Sequence, residues 1–288
     1  WVPGAGNLGE WLLGQADVRG FLGLEHGLRG ELQAGVKFED TMDARTGKPV
    51  FSYYRDGHTF PREFLKSVDL VVYCMQEISH SAYTYKHALA QTLMAAAGTK
   101  TAVLVVDRPG PAAHLTPEGP AARLWFPLDL PMTLHVTQGE LALWLRRSLG
   151  LDVDLDVLPV AAWRRDMLWA QTGLPWIPPS PNIPTAESGY AFAMTWMLEA
   201  TNLSEGRGTC KPFEYVGAPF LDGERLAARM NWLGLPGVVF REVFFQPAQS
   251  KYAGEVCSGV HLMLIDVRAL RPVEAMFHLL QEMARLCG

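Results

Sequence analysis

The sequence predicts an α/β protein: a doubly wound parallel sheet in an amino-terminal domain, residues 1–131, followed by a smaller α+β domain, residues 132–288. Three observations carry this. Continuous apolar runs at 68–75 (VDLVVYCM) and 101–106 have the pattern of strands buried on both faces. An amphipathic stretch of helical period, 81–97, lies between them, which is strand–helix–strand alternation. Beyond residue 131 strands and helices follow in mixed order, as in α+β domains.

Composition bounds the function. Of 288 residues, 49% are hydrophobic and 19% charged, enough apolar material for a sizeable core. A net charge of -5 with no Lys/Arg cluster argues against a nucleic-acid surface. No apolar run reaches membrane-spanning length. Cys74, Cys210, Cys257 and Cys287 form no Cys-x-x-Cys pair and no zinc pattern, so free thiols and no metal are expected. The chain opens on Trp1, so its natural start and any export signal are expected upstream.

In chain order, Gly4-x-Gly6-x-x-Gly9 before a helix at 8–15 matches the dinucleotide fingerprint in form, but no strand precedes it here. A strand at 18–24 ends abruptly in Glu25-His26-Gly27. Residues 31–48 read as a long turn-rich loop, 50–54 as a short strand, and 61–67 as a helix with Pro61 in its first turn. The two buried strands follow, ending in Gln76-Glu77 and Asp107-Arg108. Residues 125–131 are the candidate linker. Thr137-x-x-Glu140 is a capping box opening a helix that runs to about Ser148, and 152–160 alternates like a half-exposed strand. The Pro-rich stretch 175–184 is a rigid loop, with Trp176 and Asn182 placed to wall a cleft. Helices are expected at 221–233 and 273–286, and strands at 238–245 and 260–265.

Function is read from the strand ends. In a doubly wound sheet the carboxyl ends lie along one edge, where ligands bind. Glu25-His26, Gln76-Glu77 and Asp107-Arg108 are therefore expected to share a crevice; a structural network with Arg29 and Arg108 is the alternative. The glycine-flanked stretch 199–209, with Asn202, Glu205 and Arg207, suits a polyhydroxylated ligand or is a surface loop.

Ordered motifs then carry a resemblance. Glu25-His26-Gly27-Leu28-Arg29-Gly30, Arg45-Thr46-Gly47-Lys48-Pro49-Val50, Tyr83-Thr84-Tyr85, Asp107-Arg108-Pro109 and Glu118-Gly119-Pro120 occur in series. Gly139-Glu140-Leu141, Gly173-Leu174-Pro175-Trp176, Pro178-Pro179-Ser180-Pro181-Asn182, residues 201–209 (TNLSEGRGT) and Ser250-Lys251-Tyr252 complete it. Together they resemble the NamZ-like exo-β-N-acetylmuramidases. The resemblance implies a Rossmann-like domain, a smaller carboxyl-terminal domain, a cleft between them, and release of terminal non-reducing N-acetylmuramic acid from peptidoglycan fragments outside the cytoplasm. It also implies that a strand and a loop normally precede Trp1. The chain departs from the family pattern at Cys74, Glu77, Ser79, Ser81 and Gly110, and around Leu134-His135-Val136.

Glycoside cleavage needs an acid at the leaving oxygen and a carboxylate or equivalent on the other face. Glu25 is the first choice, its strand end supplying desolvation, with His26 as orienting partner or second acid–base group. Glu77, Glu118 and Glu205 compete for the other role. Expected substrate contacts are Arg29, Gln76, Asp107, Arg108, Asn182, Asn202, Lys251 and Tyr85, with Tyr83, Trp176 and Tyr252 for stacking. Arg207 suits a lactyl carboxylate, since a guanidinium fork matches carboxylate geometry. No cofactor is expected. A non-catalytic wall-fragment binder and a nucleotide-dependent enzyme are the alternatives.

Overall fold

The computed structural model describes residues 6–55, 61–123 and 126–287, and it divides the amino-terminal strands between two sheets. β1 (Phe21–Gly23), β2 (Thr41–Met42) and β3 (Pro49–Ser52) form the first; β1 runs parallel to β3, and β2 pairs antiparallel on the other side. β4 (Leu70–Tyr73), β5 (Ala102–Val106) and β6 (Leu155–Leu158) form the second, all parallel, with β5 central. Within this second sheet, among the described residues, only β5 has neighbours on both sides, and its Val103 and Val105 are fully covered. β4 is an edge strand with Leu70 48% exposed, so the doubly buried run expected at 68–75 shrinks to four residues. β6 belongs to this sheet although it lies beyond residue 131. Because β1 and β4 are in different sheets, Glu25 and Glu77 do not lie along one shared edge.

Helices α1 (Leu8–Leu12), α2 (Arg62–Lys66), α3 (Tyr85–Ala96) and α4 (Gln138–Ser148) connect these strands. α1 is shorter than expected and is capped by Asn7, whose Oδ1 accepts from Gly9 N. A Cβ at Gly9 would sit 2.8 Å from the Phe21 ring, so packing accounts for this glycine. Gly6 adopts a positive φ, and Gly4 lies outside the described residues, as does Trp125 of the expected linker. The Thr137–Glu140 capping box forms as the sequence predicts. α3 starts four residues later than its periodicity suggests, leaving 81–84 as a loop.

The carboxyl-terminal part contains α5 (Ala186–Thr195), β7 (Tyr215–Ala218), α6 (Gly223–Trp232), β8 (Val238–Phe245), β9 (Cys257–Leu264) and α7 (Pro272–Cys287). Its sheet is antiparallel in the order β7-β9-β8. The i, i+3, i+4 spacing of Val273, Met276, Leu279 and Met283 gives α7 one buried stripe, which packs on α5 and α6. A Cβ at Gly223 would meet the Gly259 backbone N at 2.7 Å, so only a glycine lets α6 begin directly on β9. All four cysteines are free; Cys257 is buried, while Cys210 and Cys287 are exposed. Among the described residues, no helix is long and apolar enough to cross a membrane.

Candidate active site

At the end of β1 the chain reverses through His26 (φ 74°) and Gly27 (φ 79°), and the Gly27 N–H closes the turn on the Leu24 carbonyl at 3.0 Å. A non-glycine residue held at positive φ costs conformational energy, which the surrounding contacts of His26 must offset. The turn brings Glu25 and His26 into the wall of a cavity of about 630 Å³. Glu199, Glu205, Arg207 and Lys251 line the same cavity. Two further non-glycine residues with positive φ, Phe213 and Ser250, also line it.

Glu25 is held by donors from three segments. Gly35 N donates to Oε1 at 3.1 Å and Thr84 Oγ1 to Oε2 at 2.8 Å. The third is the Tyr54 hydroxyl; burial and the adjacent Glu25 carboxylate push its pKa up to about 12, so the phenol stays protonated. Thr84 is the N-cap residue of α3, yet its side chain makes no capping bond to the helix. Its hydroxyl serves Glu25 instead. His26 Nδ1 lies 2.8 Å from the Leu32 carbonyl and therefore carries the proton, which leaves Nε2 with the lone pair. Burial lowers the pKa of His26 below 6.5, with the Leu32 carbonyl and Glu25 opposing, so the ring is neutral at pH 7. Behind the turn, the Tyr85 hydroxyl donates to the Pro179 carbonyl (2.5 Å) and lies 3.1 Å from the Glu25 carbonyl.

In the same lining, Glu205 is buried and both its oxygens are ion-paired, to Arg207 Nε (3.2 Å) and Lys251 Nζ (3.0 Å). Lys251 also donates to the Leu198 and Leu203 carbonyls, which uses all three of its protons. Arg207 lies over the Phe213 ring at 5.0 Å and extends Nη2 to Glu199 Oε1 at 2.5 Å.

The loop carrying Tyr83 and Thr84 is fastened by two buried side chains, Lys86 and Glu77, of which sequence reading passed over Lys86. Lys86, in the first turn of α3, donates to the carbonyls of Ser81 and Tyr83 (2.7 Å for the latter). A cation there opposes the helix dipole, and burial pulls its pKa down. The facing Glu77, raised by burial, accepts from Ser79 N and from His80 N at 3.4 Å. Glu77 is thus a loop-fastening group beneath the cavity and does not line it.

The remaining expected site residues divide by their bonds. Tyr83 lines the cavity. Asn182 sits just behind it, donating to the lining residue Gln33 at 3.1 Å. Asn202 is exposed, and its carbonyl accepts from the Tyr252 hydroxyl (2.5 Å) beyond Lys251. Asp107 accepts from Thr137 Oγ1 (2.6 Å) and Gly139 N (2.8 Å) at the start of α4. Gln76 accepts from Arg108 Nε (2.8 Å), and Arg108 stands 5.9 Å from the centre of Trp169, against which Trp176 packs edge-on. Arg29 grips Asp43 with two nitrogens and reaches Glu10, which holds the 41–48 hairpin in place. Glu118 accepts from Val273 N (3.0 Å) at the start of α7. None of the acids at these last positions lines the cavity, because each is spent on a helix N-terminus or a hairpin.

Comparison with known proteins adds to this geometry. Residues 10–187 match the family model of exo-beta-N-acetylmuramidase NamZ, N-terminal, and residues 190–288 match that of its C-terminal part. The chain belongs to the NamZ family. The peptidoglycan beta-N-acetylmuramidase NamZ of Bacillus subtilis is 39% identical over 249 residues, 85% of this chain. This chain spans 60% of that protein's length. A DUF1343 family crystal structure from Bacteroides fragilis superposes with a TM-score of 0.84 at 28% identity, covering 96% of this chain and 82% of that one. A second, with a TM-score of 0.66 at 21% identity and the same coverage, shares the fold.

Two departures from the NamZ pattern now have a physical reading. Ser79 keeps a glycine-like φ of 60°, and its backbone N would lie 2.6 Å from a Cβ at Gly110. No side chain fits at 110 in this packing. Near Ser81, the second of these departures, Lys86 places its amino group where it acts on Glu77.

Proposed function

We propose that this chain is an exo-β-N-acetylmuramidase that releases terminal non-reducing N-acetylmuramic acid from peptidoglycan fragments outside the cytoplasm, in a cleft between its two domains. The observation that carries the reading is one cavity lined by both the Glu25–His26 turn and the Glu205–Arg207–Lys251 cluster. Its volume suits one sugar with its substituents.

Glycoside cleavage needs proton transfer at the leaving oxygen and stabilisation of an oxocarbenium-like centre. In the proposed reaction Glu25 and His26 share these tasks. Three donors fix the Glu25 carboxylate in one orientation, and preorganisation of this kind lets a charged group act without first reorienting. His26, neutral with Nε2 unprotonated, takes a proton from the attacking water and delivers it to the departing oxygen, so the water O–H and glycosidic C–O bonds break as the new C–O and O–H bonds form. Glu205 is the anchor for Arg207 and Lys251, since both of its oxygens are already committed. Arg207 then meets the lactyl carboxylate that distinguishes muramic acid from N-acetylglucosamine.

Turnover of a chromogenic β-N-acetylmuramide by wild type and by Glu25→Gln tests the reading. We expect a loss of about 10²-fold or more in kcat with little change in melting temperature. Full activity in the folded variant removes Glu25 from the chemistry. A wild type that binds muramyl sugars and never cleaves them makes the protein a wall-fragment binder.

A further inference from the structure

The Arg207 guanidinium is shared by two carboxylates in very different settings. Glu205 is 3% exposed, bonded through both oxygens, and cannot move without stranding Lys251. Glu199 is 41% exposed, stands on the short 3₁₀ turn Trp196–Ala200, and touches Arg207 through a single oxygen. Among the described residues, Arg207 is the only ion-pair or hydrogen-bond partner of the Glu199 side chain. Both acids line the cavity.

Charge bookkeeping makes the arrangement informative. Glu199 and Glu205 balance Arg207 and Lys251, so the cluster is neutral as it stands. A ligand carboxylate entering beside Arg207 would add a third anion next to two cations in a partly water-excluded cavity, where an uncompensated charge is costly. Charge balance is kept if one carboxylate leaves. The half-exposed Glu199 can turn into solvent at small desolvation cost, and the buried Glu205 cannot.

We propose that Glu199 is a placeholder for the substrate's carboxylate: it occupies Arg207 Nη2 in the free protein and yields that position to the carboxylate of an acid-bearing sugar. The inference rests on the muramidase reading and identifies the group by which the site selects its sugar. The exchange conserves charge and the number of bonds to the guanidinium. A sugar without the carboxylate leaves Glu199 where it is and gains nothing from Arg207. Selectivity is therefore set by a competition inside the protein, and Glu199 is its adjustable side.

The test uses the whole chain, with N-acetylmuramic acid and N-acetylglucosamine as probes in calorimetry and the chromogenic muramide in turnover. Removing the competitor's charge with Glu199→Gln is expected to tighten N-acetylmuramic acid about three- to tenfold while leaving N-acetylglucosamine within about twofold. KM for the muramide should fall with it, and kcat should change little. Equal shifts for both sugars, or no shift for either, overturn the placeholder role while wild-type turnover keeps the muramidase reading intact. A collapse of kcat in Glu199→Gln also overturns it, because Glu199 would then be one of the reacting groups. A wild type that neither binds nor cleaves muramyl compounds removes the reading and the inference together.

Discussion

Acidification should destabilise this protein through one identifiable ring. His80 is buried between Phe192 and Trp196, each with ring centres 5.4 Å away. Its Nδ1 accepts from Ala82 N at 3.1 Å, so a proton cannot be added there without breaking that bond. Its Nε2 is buried with no partner among the described residues. Burial, aided by the charge of Lys86, lowers its pKa to about 3 from 6.5. The unfolded chain therefore binds a proton near pH 6.5 and the folded chain does not until about pH 3. Stability is complete above 6.5 and is lost progressively as pH falls between those values. Going from pH 7.5 to 5 costs about 2 kcal/mol from this ring alone. Urea unfolding of wild type and His80→Asn at both pH values isolates the effect. The asparagine carbonyl can still accept from Ala82 N but does not titrate, and the other histidines contribute equally to both proteins. The variant should lose about 2 kcal/mol less than wild type over the interval. Identical losses in the two proteins would mean that His80 is not held neutral by burial, and the reasoning fails.

Thr84→Val should lower kcat about tenfold by freeing one oxygen of Glu25, with little loss of stability because Thr84 does not cap α3; steady-state kinetics beside thermal melts check both halves. In a Thr84→Val background, Lys86→Met should then add less than it does alone, since both act through the 81–84 loop. Glu118→Ala strips a backbone donor of α7 of its acceptor. It should cost about 1 kcal/mol in urea unfolding while leaving muramide turnover unchanged.

Much of the architecture was legible because its elements display period or punctuation. α4 announces itself by Thr137 and Glu140, α7 by its single apolar stripe, and β8 by its length and β-branched content. α5 is invisible to the same reasoning: AESGYAFAMT is buried on every face, so it has no stripe to detect. β7 is four residues long and contains a glycine. At the site, Glu25-His26-Gly27 could be singled out because an apolar run ending in an acid and a turn residue is unusual. The acids Asp107 and Glu118 have no signature separating a catalytic carboxylate from a helix cap; only the positions of Gly139 N and Val273 N tell them apart. Lys86 was missed because a lysine on an amphipathic helix reads as solvated. Glu199 began the polar stretch already marked as a ligand loop, but its pairing with Arg207 depends on how that loop folds back.

The Tyr85 hydroxyl, seated between the carbonyls of Glu25 and Pro179, has a consequence for the shape of the cavity. It acts as a spacer of fixed length between the reactive turn and the Pro-rich loop. The calibre of the pocket on that side is therefore set by one phenol that is not among the lining residues. Enlarging the lining residues' neighbours or trimming the lining itself would change the texture of the wall and leave its spacing untouched. A variant meant to widen the cavity at this edge would first have to change position 85, which does not line it.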